Sequence, residues 1–269
     1  MKRKSLEELR QAVEHALDEG EAEKAVRYAR ESLRREPDAE GWYLLGVSLL
    51  AADEAEEGLD ALRSAVREDS DHVDAWIALA EDSLVNLEFD DAREQLAWAL
   101  RAEPLDPTAR RMRAGLRERA GDYSGAARDY LTAFLGDAEQ FPLPVPLDDE
   151  TVEAVTEAVL ETLHPTLRSY LANVPILVEE VPSEDVLEEV PDAHPFELLG
   201  CFSGRPLTER GGGDTWSVLP PTITLFRLNL ARLAGDREEL ERELRITLLH
   251  EIGHYLGLDE DDLAERGLD

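Results

Sequence analysis

Residues 248–262 read LLHEIGHYLGLDEDD. His250 and His254 are four residues apart, which on a helix places both imidazoles on the same face, one turn from each other. Two neutral imidazoles at this separation can bind one zinc ion, and Glu251 can act as a general base toward a water molecule that the metal activates. The pattern His-Glu-x-x-His therefore predicts a catalytic zinc site in this stretch.

A third ligand is expected just after the two histidines, because a catalytic zinc site takes three protein ligands and keeps one position open. Gly257 is expected to end the helix, since glycine readily adopts the left-handed conformation that closes one. The chain can then turn and present a carboxylate to the metal, and the spacing favours Glu260. Asp259 is the main alternative, and Asp261 and Asp262 stay open as candidates.

The composition restricts the class of protein. With 61 acidic and 28 basic residues, the formal charge of −33 disfavours binding to nucleic acid or to an anionic membrane. Cys201 is the single cysteine, which excludes an intramolecular disulfide and a thiolate zinc cluster. The N-terminal residues form an amphipathic pattern rather than a signal peptide, and no stretch is apolar enough to span a membrane, so we expect a cytoplasmic protein.

Residues 1–136 repeat with a period of 34. Trp42 and Trp76 are one period apart, and so are Leu45 and Leu79. This period, with small and large apolar residues at fixed places, resembles that of tetratricopeptide repeats, in which each unit is a pair of antiparallel helices. We expect four units that form an all-α solenoid and can hold a partner protein. Because the surface should be acidic, a basic partner segment is the first expectation.

A second domain is expected after the repeats. Three prolines alternate in the segment 137–149, which predicts an extended linker. Residues 150–269 then read as a small α+β domain: a helix that begins near Asp148 or Asp149, strands at 175–181, 198–202 and 222–230, and a last helix capped by Asp236. An edge strand of this sheet could pair with an extended peptide.

This second half resembles the minimal zincin-like metallopeptidases. The resemblance is carried by LLGCFSGRPLTER at 198–210, by ITLFRLNL at 223–230, and by the helix and acidic segment at 237–263. The family pattern H-E-x-G-H-x-x-G-x-x-D matches at His250, Glu251, His254 and Gly257, while Glu260 stands where the family has aspartate. The resemblance implies zinc on the two histidines and the downstream carboxylate, and peptide-bond hydrolysis.

The sequence therefore predicts a zinc-dependent metallopeptidase whose repeats recruit a peptide or protein substrate, or an adaptor protein. The main alternative is a non-catalytic scaffold with a structural or vestigial zinc site. It is favoured by the lack of an obvious donor for the oxyanion, since Tyr255 should point to a different face of the helix. Zinc-dependent hydrolysis of a non-peptide amide is a third interpretation.

Overall fold

The computed structural model of the chain describes residues 5–190, 193–209 and 220–267. Contacts between Cα atoms divide the chain into two compact units, Met1–Asp137 and Ala138–Asp269. Within the described residues, no helix is both long enough and apolar enough to cross a membrane.

Within its described residues, 5–137, the first unit is made of helices and short connections, which confirms the predicted all-α solenoid. Its helices pack as four consecutive pairs, and each pair is joined by a short turn. The helices are α1 (Leu6–Asp18), α2 (Ala22–Arg35), α3 (Ala39–Ala51), α4 (Ala55–Glu68), α5 (Val73–Val85), α6 (Phe89–Ala102), α7 (Pro107–Arg119) and α8 (Tyr123–Gly136).

The repeating small residues allow the two helices of a pair to approach closely. A Cβ atom on Gly46 of α3 would lie 2.7 Å from the side chain of Leu62 on α4 and 3.1 Å from the Gly58 carbonyl oxygen. Leu62 is fully buried, as is Leu96 one period later. The 34-residue pattern therefore reports the contact between paired helices, which is why the sequence alone predicted this half of the fold.

The second unit combines helices with a small sheet, as the α+β prediction required. Its segment 138–148, predicted as part of a linker, contributes Leu147 to the core of this unit and binds through the Val145 N–H to the Ala231 carbonyl. The elements that follow are α9 (Asp149–Thr162), α10 (Pro165–Leu171), β1 (Ile176–Glu179), α11 (Glu184–Glu189), β2 (Gly200–Ser203), a 3₁₀ turn (Leu207–Glu209), β3 (Thr222–Phe226), α12 (Arg227–Leu233), α13 (Arg237–Leu256) and α14 (Glu260–Ala264).

The sheet has the strand order β1-β3-β2, with β1 parallel and β2 antiparallel to the central strand β3. The predicted strand at 222–230 was wrong in its second half, because residues 227–233 form helix α12. In that helix Leu230 and Ala231 are buried together on one side, and Arg227 reaches Asp149 and Glu180. Apolar and polar residues alternate here as in a strand, but the burial of Leu230 and Ala231 on one side of a helix decides the structure.

Helix α13 packs on the sheet and on α9, and it carries the His-Glu-x-x-His stretch in its last turns. Asp236 caps its first turn by accepting a hydrogen bond from the Glu239 N–H, and Gly257 ends it with a φ of 89°. Leu240, Leu244 and Leu248 are fully buried along one stripe and anchor the helix in the core. The cap, the apolar stripe and the glycine together fix where the two histidines lie.

Candidate metal centre

The end of α13 and the start of α14 place three side chains with metal-binding atoms side by side. His250 and His254 lie one helical turn apart, and the turn after Gly257 returns Glu260 to the same place. One ligand atom from each of these three side chains lies within 4.8 Å of the others. The local sequence is sufficient for this arrangement, since it needs only a helix, a glycine turn and a second helical start.

The distances within the group suit a tetrahedral metal. His250 Nε2 and His254 Nε2 are 2.9 Å apart, and Glu260 carboxylate oxygens lie 3.3 Å from His254 Nε2 and 3.7 Å from His250 Nε2. Zinc bound to nitrogen and oxygen at about 2.0–2.2 Å in tetrahedral geometry separates its ligand atoms by about 3.3–3.6 Å. The three separations, 2.9, 3.3 and 3.7 Å, bracket this range, so shifts of a few tenths of an ångström would let these two imidazoles and one carboxylate hold one zinc ion.

The orientation of His254 is fixed from its other side. Its Nδ1 lies 3.2 Å from the carbonyl oxygen of Leu258, to which the protonated nitrogen can donate. This hydrogen bond leaves the Nε2 lone pair directed toward His250 and Glu260. Such a partner behind a histidine is the usual device that selects the metal-binding tautomer.

The alternative third ligand, Asp259, has a different task in the structure. It is the N-cap residue of α14, and its side chain accepts a hydrogen bond from the Asp262 N–H at 2.9 Å. Asp262 itself contacts Arg266. Among the four acidic candidates of the sequence, Glu260 is the member of the described group with both histidines.

Glu251 lies beside this group but is much more buried, with 5 % of its surface exposed. Burial raises the pKa of its carboxyl group to about 8; the backbone N–H of Phe202 opposes the shift, and the charge of Glu260 adds to it. Burial disfavours the charged form of a carboxyl group and so brings its pKa toward neutral pH, where a proton can be taken up and released.

Strand β2 forms the wall of the site next to Glu251. The groove is lined by residues of β2, of the segment that follows it and of the end of α13, among them Gly200, Phe202, Thr208, His250 and Glu260. A Cβ atom on Gly200 would lie 2.9 Å from Thr247 Cγ2 and 3.3 Å from Glu251 Cγ, so β2 approaches α13 closely because residue 200 has no side chain.

Tyr255 is fully buried on another face of α13, as its place in the sequence predicted. Its hydroxyl donates to the backbone carbonyl of Tyr170 at 3.2 Å, and its ring meets Phe202 edge to face. This tyrosine therefore stabilises the core behind the groove and is not placed to contact a substrate.

Sequence reasoning missed the residues that support the site from elsewhere in the chain. Gly200 and the Phe202 amide contact Glu251 from a strand far earlier in the chain. Thr208 packs against Gly257, and a Cβ atom added to Gly257 would collide with the Thr208 hydroxyl oxygen. The stretch LLGCFSG carried a partial signal, because a glycine inside an apolar strand indicates a close backbone approach.

Comparisons with known proteins agree with this architecture. The model of the zincin-like metallopeptidase family matches residues 171–268, and a tetratricopeptide repeat model matches residues 10–73 and 77–142. The chain therefore carries a zincin-like metallopeptidase domain that follows tetratricopeptide repeats. No curated protein matches the chain.

Solved structures of repeat proteins are similar to about half of the chain. The crystal structure of MamA is 21 % identical, with a TM-score of 0.42, and the match covers 51 % of this chain and 80 % of that one. TTC0263, a thermophilic TPR protein of Thermus thermophilus, is 20 % identical with a TM-score of 0.45, and the match covers 51 % of this chain and 76 % of that one.

Proposed function

We propose that the chain is a zinc-dependent metallopeptidase. The observation that carries the proposal is the group of His250, His254 and Glu260, with a buried carboxyl group, Glu251, beside it. His250, His254 and Glu260 would hold the ion, and zinc so bound would supply Lewis-acid activation of a water molecule and of the scissile carbonyl group.

Glu251 would serve as the general base. Its carboxylate would accept a proton from the attacking water and deliver it to the leaving amine, which is the role of a general base positioned beside a metal-activated water. The Phe202 amide and the close contact with Gly200 hold the side chain in one place, so that proton transfer needs no rearrangement.

The edge of β2 offers a place for an extended peptide. The Phe226 N–H donates to the Leu199 carbonyl, which fixes the antiparallel register. In this register every second residue of β2 bonds to β3, so Cys201 does so. The backbone N–H and carbonyl groups of Gly200 and Phe202 therefore point away from the sheet. A substrate strand would pair with Gly200, because the Phe202 amide is already engaged by Glu251. The repeats would recruit the protein that contains this peptide, or an adaptor.

The first experiment compares zinc content and peptide cleavage in three proteins: the parent chain, Glu251→Gln and His254→Ala. We expect about one zinc per chain in the parent and in Glu251→Gln, with turnover abolished in Glu251→Gln, and we expect zinc to be lost in His254→Ala. The glutamine variant is the sharper test, since it keeps the ligands and removes only the base.

The outcomes separate the proposal from the scaffold alternative. Zinc in the parent with cleavage unchanged in Glu251→Gln would refute the assigned mechanism. Zinc without cleavage of any member of a broad peptide library would favour the scaffold with a structural or vestigial site. The specific observation behind that alternative is the hydroxyl of Tyr255, which is bonded to Tyr170 and leaves no described tyrosine donor at the groove.

A further inference from the structure

The charge of helix α7 differs from that of its counterparts in the solenoid. It contains five arginines and one acidic residue, in a chain whose formal charge is −33. The first helices of the second and third pairs, α3 and α5, contain no basic residue. The first helix of the fourth pair therefore carries positive charge where the first helices of the second and third pairs carry none.

Three of these arginines stand at positions that are mostly apolar in the earlier repeats. Counting back by the 34-residue period, Arg110 corresponds to Trp76 and Trp42, and Arg113 corresponds to Leu79 and Leu45. Arg117 corresponds to Ser83 and, one period earlier, to Leu49. Replacement of these mostly apolar side chains by arginine changes the chemistry of the contact between α7 and α8.

These arginines surround one carboxylate, that of Asp129 on α8, which has no exposed surface. Arg110 Nη1 donates to Asp129 Oδ1 at 2.7 Å, and Arg113 binds both carboxylate oxygens through Nε and Nη2 at 2.8 and 2.7 Å. Arg117 Nη1 lies 2.8 Å from Asp129 Oδ2. The buried carboxylate thus fixes the three guanidinium groups as one rigid cluster, which we call the arginine cluster.

The arginine cluster holds more positive charge than its own partners neutralise. Asp129 supplies one negative charge, and Asp122, 3.7 Å from Arg117 Nε and half exposed, supplies a second. Between 21 and 30 % of each arginine side chain remains exposed. Arg110 also donates to the Pro104 carbonyl, and Arg117 to the Gly125 carbonyl. A further carboxylate would therefore bind through the remaining N–H groups of these fixed, partly exposed guanidinium groups.

We propose that the arginine cluster of α7, formed by Arg110, Arg113 and Arg117, binds an acidic peptide segment of a partner protein. A short peptide fits better than a nucleic acid. The acidic rest of the chain repels a long polyanion along its whole length. A short acidic peptide meets mainly the charges within about 8 Å of the cluster, because charges beyond this Debye length are screened. The overall acidity predicted a basic partner, but the fourth repeat has the opposite charge.

The test measures binding of a fluorescein-labelled octaglutamate peptide to the full chain by fluorescence anisotropy at an ionic strength of about 0.15 M, where the Debye length is about 8 Å. The variant Arg110→Trp/Arg113→Leu/Asp129→Ala restores the residues that the second repeat has at these positions, Trp42, Leu45 and Ala61, so no buried charge is left unpaired. We expect affinity to fall by about tenfold or more in this variant and to fall with added salt in the parent.

Two further variants keep the test decisive. Arg117→Gln leaves Asp129 paired with two arginines, so it should fold and should bind the peptide more weakly than the parent even if the triple variant does not fold. Arg30→Gln removes an arginine of α2 that pairs with Glu57 and should leave binding unchanged. Equal affinity of the parent and Arg117→Gln, or no binding by the parent, would overturn the proposal.

An eight-nucleotide single-stranded DNA with the same label separates the two polyanion classes. Weaker binding of the oligonucleotide than of octaglutamate supports the peptide proposal. Tighter binding of the oligonucleotide, lost in Arg117→Gln, would overturn it in favour of a nucleic-acid site. None of these readouts depends on peptidase activity, so the result stands apart from the function proposed for the zincin-like domain.

Discussion

Asp129 in the repeats and Glu251 in the zincin-like domain are both buried carboxyl groups, but their surroundings are opposite. Burial acts to raise the pKa of Asp129, and hydrogen bonds from Arg113 and Arg110 outweigh it, so the pKa lies below its usual value. Burial raises the pKa of Glu251 to about 8, and the Phe202 amide only partly offsets it. The charged form of Asp129 is stabilised, whereas burial favours the neutral form of Glu251.

The difference separates a carboxylate that stabilises structure from one that is kept available for chemistry. Three guanidinium groups commit Asp129 to the charged form, and it joins α7 to α8. Glu251 has one backbone donor and a groove in front of it, and its raised pKa means that its charged form does not stabilise the fold. Perturbed carboxyl groups in a groove beside metal-binding residues are typical of functional sites.

The largest expected effect is on stability. Asp129→Ala should lower the free energy of unfolding of the repeats by about 3 kcal/mol, since loss of one partner of a buried ion pair leaves uncompensated charge. Glu251→Gln should not destabilise the metal-free protein and should stabilise it near neutral pH, because it breaks no ion pair and removes a buried carboxyl group whose pKa is raised on folding. Urea unfolding followed by tryptophan fluorescence measures the first change, as Trp42, Trp76 and Trp98 all lie in the repeats.

A matched control tests the cause of this loss. In Arg110→Trp/Arg113→Leu/Asp129→Ala two of the three arginines that lose Asp129 are replaced by the apolar residues of the second repeat, and Arg117 keeps Asp122 as its partner. We expect most of the lost stability to return. If Asp129→Ala is as stable as the parent, or if the triple variant is as unstable as Asp129→Ala, the arginine cluster does not stabilise the contact between α7 and α8.

The next effect concerns the position of Glu251. Gly200→Ala should lower kcat by about tenfold with little change in KM, because the added methyl group meets Thr247 Cγ2 at 2.9 Å and presses on Glu251. Thr247→Ala in the same chain removes the tightest contact and should restore part of kcat. Steady-state kinetics on a cleavable peptide give the split between kcat and KM, and zinc content should not change.

This prediction assumes the proposed peptidase activity, and its controls are internal. Thr247→Ala alone should be nearly as active as the parent. An unchanged kcat in Gly200→Ala would mean that Glu251 does not depend on the bare backbone of β2. A fall in kcat together with a loss of zinc would mean that the substitution disturbs the whole site rather than the base.

The sequence predicted those parts of the molecule that depend on local spacing. The 34-residue period gave the paired helices, and the spacing of His250, His254, Gly257 and Glu260 gave a group that the structure places together. Both patterns report contacts within a helix or across one turn. They could be read without knowledge of how distant segments pack.

The sequence could not predict the contacts that depend on strand register and on burial. Gly200 and the Phe202 amide reach Glu251 because β2 pairs with β3 in one register, which no local pattern specifies. The same limit explains the wrong strand assignment at 227–230, where alternating leucines are typical of a strand but pack as α12. The arginine cluster could not be predicted from the repeat pattern, because its arginines replace residues of that pattern and form no pattern of their own.

The smallest expected effect is on the pH dependence of stability. Because the pKa of Asp129 is lower in the folded state than in the unfolded chain, its stabilising contribution is present above the unfolded value of about 3.9 and is lost as pH falls through the folded value. The thermal unfolding temperature of the repeats should therefore fall more steeply below about pH 4 in the parent than in Arg110→Trp/Arg113→Leu/Asp129→Ala. Both proteins keep the other acidic residues, so the difference between the two curves reports Asp129 together with the two arginines that pair with it. Parallel curves over the acid range would show that Asp129 titrates alike in the folded and unfolded states, and its contrast with Glu251 would then rest on burial alone.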